Sequence, residues 1–322
     1  MAVYTKIDNK DVLSLGRSYK LDKITKFEGI KKGIENTNYL LKTNKDKFIL
    51  TIFEKRVQKK DLPFFMNLME KLTEKKIICP KPLKNNKDQH LCEVKKKPAC
   101  IVTFLEGTDK TNLNYKNCFD IGKNIAKFHK ITTKIKLYRH NSMSVKKLDF
   151  LLKKIKFRSN AISPKLKPTL NACLKDIISK WPKKLPEGII HGDLFIDNIF
   201  FSKDKFSGFI DFYFSSNDYL MYEIAICINS LCFDKKNNSF VVNNKKIQRL
   251  IDGYESIRRF SKKEKDALNI LCRGAALRYL LTRIYDYFNT PKTALIQIKD
   301  PNEYLQKLII HNQLNKYTDY YK

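Results

Sequence analysis

The apolar positions of this chain follow two different periods. Through residues 1–105 they come in short β-like runs separated by turns. Residues 39–43 and 48–53 are two such runs on either side of Asn44-Lys45-Asp46-Lys47, which predicts a hairpin. Residues 91–94 and 99–104 predict a second strand pair. Between them, residues 62–75 carry Phe65, Leu68, Met69 and Leu72 at helical spacing, with Pro63 near the start, where proline is tolerated. Pro80 and Pro82 close that region. The expectation is a small sheet with one helix.

From Tyr115 the period becomes mostly helical. Cys118, Ile121, Ile125, Ala126 and Phe128 mark one buried face. Residues 146–181 predict two helices around the turn Ser163-Pro164. Further helices are expected over 219–232, 245–254, 262–289 (in one or two segments) and 302–311. Glu106-Gly107-Thr108-Asp109 reads as a linker, and residues 188–214 interrupt the helices with a strand–loop–strand stretch. The predicted class is α+β with two lobes. A small β-rich N-terminal lobe spans residues 1–105, and a larger, mostly helical C-terminal lobe spans 106–322.

Composition narrows the class. With 322 residues and 43% hydrophobic content the chain can bury a sizeable core. The formal charge of +31 invites a nucleic-acid reading. Against it, only ten of the 64 basic residues are arginine, and the lysines are dispersed in pairs and triplets such as Lys31-Lys32 and Lys95-Lys96-Lys97. Groove and phosphate readers lean on arginine. A solvated lysine surface, of the kind AT-rich codon usage produces, is the expectation, and no nucleic-acid partner is expected. The eight cysteines contain no C-x-x-C pair and sit in apolar patterns, so they read as reduced core residues. Met1-Ala2-Val3-Tyr4-Thr5-Lys6 lacks an apolar signal segment, and no run approaches the length of a membrane span. A cytoplasmic chain without a membrane partner is expected, and its oligomeric state is not legible.

The chemistry concentrates in Ile189-Ile190-His191-Gly192-Asp193-Leu194-Phe195-Ile196-Asp197-Asn198-Ile199-Phe200-Phe201, followed by Gly208-Phe209-Ile210-Asp211-Phe212. Asp193 and Asn198 lie five residues apart on a loop leaving a strand. A loop can aim both side chains into one cleft. Asp193 suits the orientation of a hydroxyl and late acceptance of its proton, and Asn198 offers a neutral oxygen for Mg²⁺. The run 206–210 reads as the return strand of a hairpin from 199–201, which delivers Asp211 as a second metal ligand. His191 reads as a loop stabiliser, and Asp197 as either a supporting carboxylate or a turn residue. These are the requirements of ATP-dependent phosphoryl transfer, and the two-lobed layout suggests a kinase-like architecture with ATP between the lobes. In the N-terminal lobe, Gly29 and Gly33 precede Asn36 and the first hairpin. Two glycines there let backbone N–H groups approach phosphates, although an ordinary turn explains them equally.

His191-Gly192-Asp193-Leu194-Phe195-Ile196-Asp197-Asn198 with Ile210-Asp211-Phe212 resembles the aminoglycoside-phosphotransferase-like kinases, which share the protein-kinase fold. Gly33 to Tyr39, Leu50-Thr51-Ile52-Phe53-Glu54, Lys97-Pro98-Ala99, Arg273 to Arg283 and Lys299 to Tyr304 bring the chain closer to the bacterial homoserine kinases of that fold. The resemblance implies that ATP phosphorylates the hydroxyl of L-homoserine, a step toward threonine. By motif position Asp193 is then the catalytic base, Asn198 and Asp211 hold Mg²⁺, and the stretch 101–105, with Thr103 and Leu105, is the hinge whose backbone pairs with adenine. One departure stands out. Thr51 occupies the strand position where the superfamily usually places a phosphate-contacting lysine, leaving Lys31, Lys32, Lys47 and Lys55 as candidate substitutes.

A zwitterionic acceptor needs a cation for its carboxylate and an anion for its ammonium. Arg273, Arg278 and Arg283 put three of the ten arginines on one predicted helix. Arg278 and Arg283 are the expected carboxylate ligands, with salt bridging within the protein as the alternative. Tyr213 is expected to wall the pocket, and Asp218 or Glu223 to meet the ammonium. Core packing for Tyr213 and helix capping for Asp218 compete with those roles. Two other functions stay open at this stage. One is a kinase of the same fold with an amino-alcohol, sugar or aminoglycoside acceptor. The other is a non-catalytic nucleic-acid or scaffold protein.

Overall fold

The computed structural model describes residues 3–30, 36–54, 57–155, 166–289 and 299–321. They divide into two compact units. The first comprises Met1–Thr108, Phe200–Ser202 and Ser207–Tyr213, and the second comprises Asp109–Ile199, Lys203–Phe206 and Phe214–Lys322.

The first unit starts with α1 (Asn9–Ser18), which the sequence-based expectation lacked. Asp8 caps it by accepting the N–H groups of Lys10 and Asp11, and Asp11 returns the favour to the Asp8 amide. Lys95 pairs with both carboxylates and holds Asp8 below its ordinary pKa. An antiparallel sheet follows, made of β1 (Ile24–Gly29), β2 (Thr37–Thr43), β3 (Lys47–Ile52) and, after α2 (Leu62–Glu74), β4 (Leu91–Val94) and β5 (Lys97–Thr103). The strand order is β1-β2-β3-β5-β4. Both predicted strand pairs are present, and β1 is an addition to them. Side chains alternate across this sheet. Tyr39, Leu41, Leu50, Ile52, Ala99 and Ile101 form one core with Val12 and Leu15 of α1. The opposite face, including Thr51 and Cys100, is also buried.

The second unit opens with α3 (Tyr115–Thr132), whose predicted apolar face is buried, then α4 (Val145–Lys154) and α5 (Leu166–Lys180). The predicted turn Ser163-Pro164 lies outside the described residues. Next along the chain come β6 (Glu187–Ile190) and the hairpin of β7 (Ile199–Ser202) and β8 (Lys205–Phe209), most of whose residues belong to the first unit. Strand β9 (Ser216–Tyr219) returns to pair antiparallel with β6, placing Ile190 opposite Ser216. Helix α6 (Leu220–Leu231), the hairpin of β10 (Phe233–Lys236) and β11 (Ser239–Val242), α7 (Asn244–Glu255), α8 (Lys262–Asn289), α9 (Asn302–Gln313) and α10 (Tyr317–Tyr320) complete it. The stretch 262–289 is one continuous helix. Strands β9 to β11 and the short α10 are further additions to the expected elements. No helix among the described residues is long and apolar enough to cross a membrane. All eight cysteines are free, and burial pushes the Cys118 thiol up to about 11 and those of Cys79 and Cys100 to about 12.

Helices α3 and α7 touch backbone to backbone through a reciprocal pair of glycines. A Cβ on Gly122 would lie 1.9 Å from the Leu250 carbonyl oxygen, and one on Gly253 would lie 2.0 Å from that of Phe119. Neither oxygen can yield without breaking a helical hydrogen bond. Gly253→Ala is therefore expected to destabilise the second unit by about 1–3 kcal/mol or more, the scale of overpacking a close-packed contact. A thermal melt followed by circular dichroism checks it, and an unchanged midpoint would mean that the helices separate at no cost.

Candidate active site

Strand β6 ends at Ile190, and the chain then turns through His191 and Gly192. Gly192 has φ +77°, and a Cβ there would lie 3.0 Å from the Phe214 carbonyl oxygen, so both conformation and space demand glycine. The turn is held from below by Glu223 of α6, which is fully buried. Its carboxylate accepts the N–H of His191, and that of Gly192 at 3.1 Å. Behind it, His129 Nε2 lies 4.0 Å from Glu223 Oε2, and His129 Nδ1 meets the Tyr254 hydroxyl at 2.9 Å. Burial depresses the His129 pKa, against the pull of the Glu223 carboxylate. Ser230 Oγ donates to the Leu194 carbonyl at 2.6 Å and pins the far side of the loop.

This clamp presents Asp193. Asn198, at the end of a single 3₁₀ turn, donates its Nδ2 to the Asp193 carbonyl at 2.8 Å and to Asp193 Oδ2 at 3.4 Å. The expected pair is thus brought together in the second unit. With Nδ2 committed to Asp193, Asn198 keeps its amide oxygen, a hard donor of the kind Mg²⁺ takes. Tyr279 of α8 adds a contact absent from the sequence-based site. Its hydroxyl lies 3.2 Å from the Gly192 carbonyl and 3.3 Å from Asp193 Oδ1. Its ring meets Phe195 edge-on at 4.9 Å.

Asp211 belongs to the first unit, follows β8, and is exposed with φ +63°. Among the described residues no cluster of three or more His, Cys, Asp or Glu could hold a metal ion. Tyr213, also in the first unit, is a packing residue and not a pocket wall. Its ring stands edge-on to Phe53 at 5.0 Å and Phe65 at 5.6 Å, its hydroxyl lies 3.9 Å from Cys100 Sγ, and burial raises its pKa.

The nucleotide candidates are all in the first unit. Thr51 is buried and donates to Asn38 Oδ1 at 2.8 Å. Gly29 ends β1 and Asn36 accepts the Glu54 N–H at 3.4 Å, so the two frame the glycine-containing segment. Gly33 itself, with Lys31, Lys32 and Lys55, lies outside the described residues. Lys47 pairs with Glu106 at 3.0 Å over the Phe104 ring. In the predicted hinge the Thr103 N–H donates to the Lys81 carbonyl and that of Phe104 to the Lys47 carbonyl. Leu105 has no such acceptor among the described residues.

The acceptor candidates sort differently from expectation. Glu223 is no ammonium ligand, because both its oxygens serve backbone N–H groups beneath the loop. Arg283 is no carboxylate ligand, because Glu303 at 2.7 Å and the Asp300 carbonyl at 2.8 Å hold it over the Tyr304 ring. Arg273 pairs with Asp176 at 2.7 Å. Arg278 is different. It is 3% exposed, lies 4.7 Å from the Tyr279 ring centroid and 6.0 Å from that of Phe214, and has no ion-pair partner among the described residues. Asp218 accepts Asn141 Nδ2 at 2.6 Å and the Tyr219 N–H at 2.7 Å, and burial raises its pKa.

Comparison with known proteins gives consistent results. The model of a family described as "Phosphotransferase enzyme family" matches residues 26–260. The homoserine kinase of Agrobacterium fabrum (strain C58 / ATCC 33970) is 41% identical over 320 residues, covering 99% of this chain and 98% of that protein. The homoserine kinase of Rhizobium meliloti (strain 1021) is 41% identical over 320 residues, covering 99% and 97%. Among solved structures, an amicoumacin kinase in complex with AMP-PNP, Ca²⁺ and Ami superposes with a TM-score of 0.74 at 13% identity, covering 97% of each chain. A spectinomycin phosphotransferase in complex with ADP and spectinomycin gives 0.66 at 13% identity, covering 98% of each. These structural likenesses show a kinase-like α+β fold.

Proposed function

The chain belongs to the phosphotransferase enzyme family and, within it, to the homoserine kinases, and on that premise we propose that it transfers the γ-phosphoryl group of ATP to the hydroxyl of L-homoserine. The products are ADP and O-phospho-L-homoserine, a precursor of threonine. The observation that carries the catalytic part is the clamp on Asp193: Glu223 beneath the turn, Asn198 and Tyr279 on the carboxylate. Asp193 orients the acceptor hydroxyl and takes its proton as the new O–P bond forms and the bond from γ-phosphorus to the bridging oxygen breaks. By their place in the family's motif, Asn198 and Asp211 would each offer an oxygen to Mg²⁺. When bound, the ion neutralises phosphate charge as it moves onto the leaving ADP.

In the nucleotide unit, the uncommitted N–H of Leu105 suits an adenine acceptor, while the Thr103 N–H already serves Lys81. Gly29, Gly33 and Asn36 are the phosphate-side residues, and Thr51, whose hydroxyl is already donated to Asn38, stands where the wider superfamily uses a cation. Arg278 takes the α-carboxylate and Asp218 the ammonium. The reaction is cytoplasmic, where ATP and the amino acid meet, and the lysine-rich surface serves solvation and the attraction of anionic ATP, not nucleic-acid binding.

A coupled ADP-release assay with Mg²⁺ over a panel of hydroxyl acceptors tests this directly. Turnover of L-homoserine is expected. Turnover of choline or kanamycin in its place would replace the acceptor assignment with the amino-alcohol or aminoglycoside alternative. Arg278→Lys keeps the charge and loses the planar fork. It is expected to raise KM for L-homoserine roughly 10–100-fold, the scale of a hydrogen bond to a charged group, with KM for ATP nearly unchanged. Equal changes in both would make Arg278 a structural residue.

A further inference from the structure

Arg278 on α8 is buried, and Asp218, half-buried near the end of β9, stands one helical turn before Tyr222 of α6, both in the second unit. Yet no ion pair joins them. Left to themselves, two such groups at low dielectric close on each other. Here each is tied elsewhere. Asn141 donates its amide to Asp218 Oδ2, and the Tyr219 N–H takes Oδ1. Asn141 is itself fixed, since its Oδ1 accepts the Met143 N–H at 2.8 Å. On the other side Arg278 is flanked by the Tyr279 and Phe214 rings. The Tyr222 hydroxyl adds a second unmet demand. Tyr222 is fully buried beside Arg278, and its hydroxyl hydrogen finds no acceptor among the described residues. A buried guanidinium without a carboxylate and a buried hydroxyl without an acceptor are each costly unless something arrives to satisfy them.

We propose that Arg278, Tyr222 and Asp218 form a receptor for an α-amino-acid zwitterion, and that Asn141 is the positioning residue that keeps its two poles apart. The carboxylate accepts hydrogen bonds from Arg278 and Tyr222, and the adjacent ammonium donates to Asp218. The proposal rests on the acceptor assignment above and deepens it. It adds Tyr222 as a specificity-determining residue, and it makes the split ion pair the reason that an amino acid outcompetes a simple amino alcohol. Arg278 directly precedes Tyr279 on α8, and the Tyr279 hydroxyl lies 3.3 Å from Asp193 Oδ1, so the receptor shares this stretch of α8 with the catalytic carboxylate's own partner.

The test uses the full chain and three acceptors, each as substrate or as competitive inhibitor. They are L-homoserine, 3-aminopropan-1-ol (the same molecule without the carboxylate) and 4-hydroxybutanoate (without the ammonium). Tyr222→Phe keeps the ring that meets Trp181 at 5.6 Å and removes only the hydroxyl. It is expected to weaken L-homoserine and 4-hydroxybutanoate about tenfold, the scale of one hydrogen bond to a charged group, and to spare 3-aminopropan-1-ol and ATP. Asn141→Ser keeps a side-chain oxygen near the Met143 N–H and withdraws the amide donor from Asp218 without adding a charge. It is expected to weaken the two ammonium-bearing acceptors about tenfold and leave 4-hydroxybutanoate the least affected. Equal losses on all three acceptors, or no loss in either variant, would overturn the receptor. Wild-type turnover of L-homoserine separates the two claims. If it is present while the selectivities stay unmoved, only the receptor fails. If it is absent, the acceptor assignment fails with it.

Discussion

Asp193→Asn is expected to lower kcat for phosphoryl transfer to L-homoserine by about 10²–10⁴-fold, the usual contribution of a positioned acid–base group. The substitution is nearly isosteric. Its amide oxygen still accepts from Tyr279 or Asn198, so the loop keeps its shape and the acceptor hydroxyl still finds an oxygen nearby. What disappears is the capacity to take the proton. KM for ATP is therefore expected to stay within about twofold, because the loss falls on an interaction made only in the transition state. Steady-state kinetics by ADP release, with nucleotide affinity measured by calorimetry, checks both halves. Near-normal turnover would move the base to another residue, and a parallel loss of ATP affinity would indicate that the loop had collapsed.

Asp193 and Asn198 were legible because one short loop carries both. Five residues of chain, started by a glycine that must turn, leave few ways to separate them. The groups that make the loop work come from far along the chain, 31 residues for the Glu223 bond to Gly192 and 86 for the Tyr279 bond to Asp193. Nothing local in Leu220-Met221-Tyr222-Glu223 says that the carboxylate faces inward. Arg283 was misassigned for the same reason, since its partner Glu303 lies on another helix. Local period served well for β2, β3 and α2, whose apolar residues repeat cleanly. Ser216-Asn217-Asp218-Tyr219 has no apolar alternation and is a strand only because β6 offers it a ladder. Helix α1 is another matter. Asp8 and Asp11 before Val12, Leu15 and Tyr19 form a readable capping box and apolar face that the strand-dominated pattern around them obscured.

Glu223→Gln decides between the sequence-based and the structural account of that residue. A carboxylate has only acceptors to offer, and the turn presents it with two N–H donors. Glutamine replaces one oxygen with an NH₂ group, which sets donor against donor in a fully buried place. With its oxygen in the Oε2 place the amide still accepts from both N–H groups, Gly192 at 3.3 Å, but its NH₂ then faces the Gly192 N–H; flipped, the NH₂ faces His191. An orphaned buried donor costs about 1–3 kcal/mol. The loop is expected to relieve this by shifting, and a displacement of about 1 Å at Asp193 is enough to cost roughly 10²-fold in rate. The prediction is thus a lower melting temperature, a kcat about 10²-fold down, and a KM for L-homoserine that moves little. An ammonium ligand would behave in the opposite way. Its loss would raise KM for L-homoserine, leave 4-hydroxybutanoate untouched and spare kcat. The two patterns share no feature, so a single set of kinetics on the two acceptors assigns Glu223 either to the substrate or to the loop that carries the base.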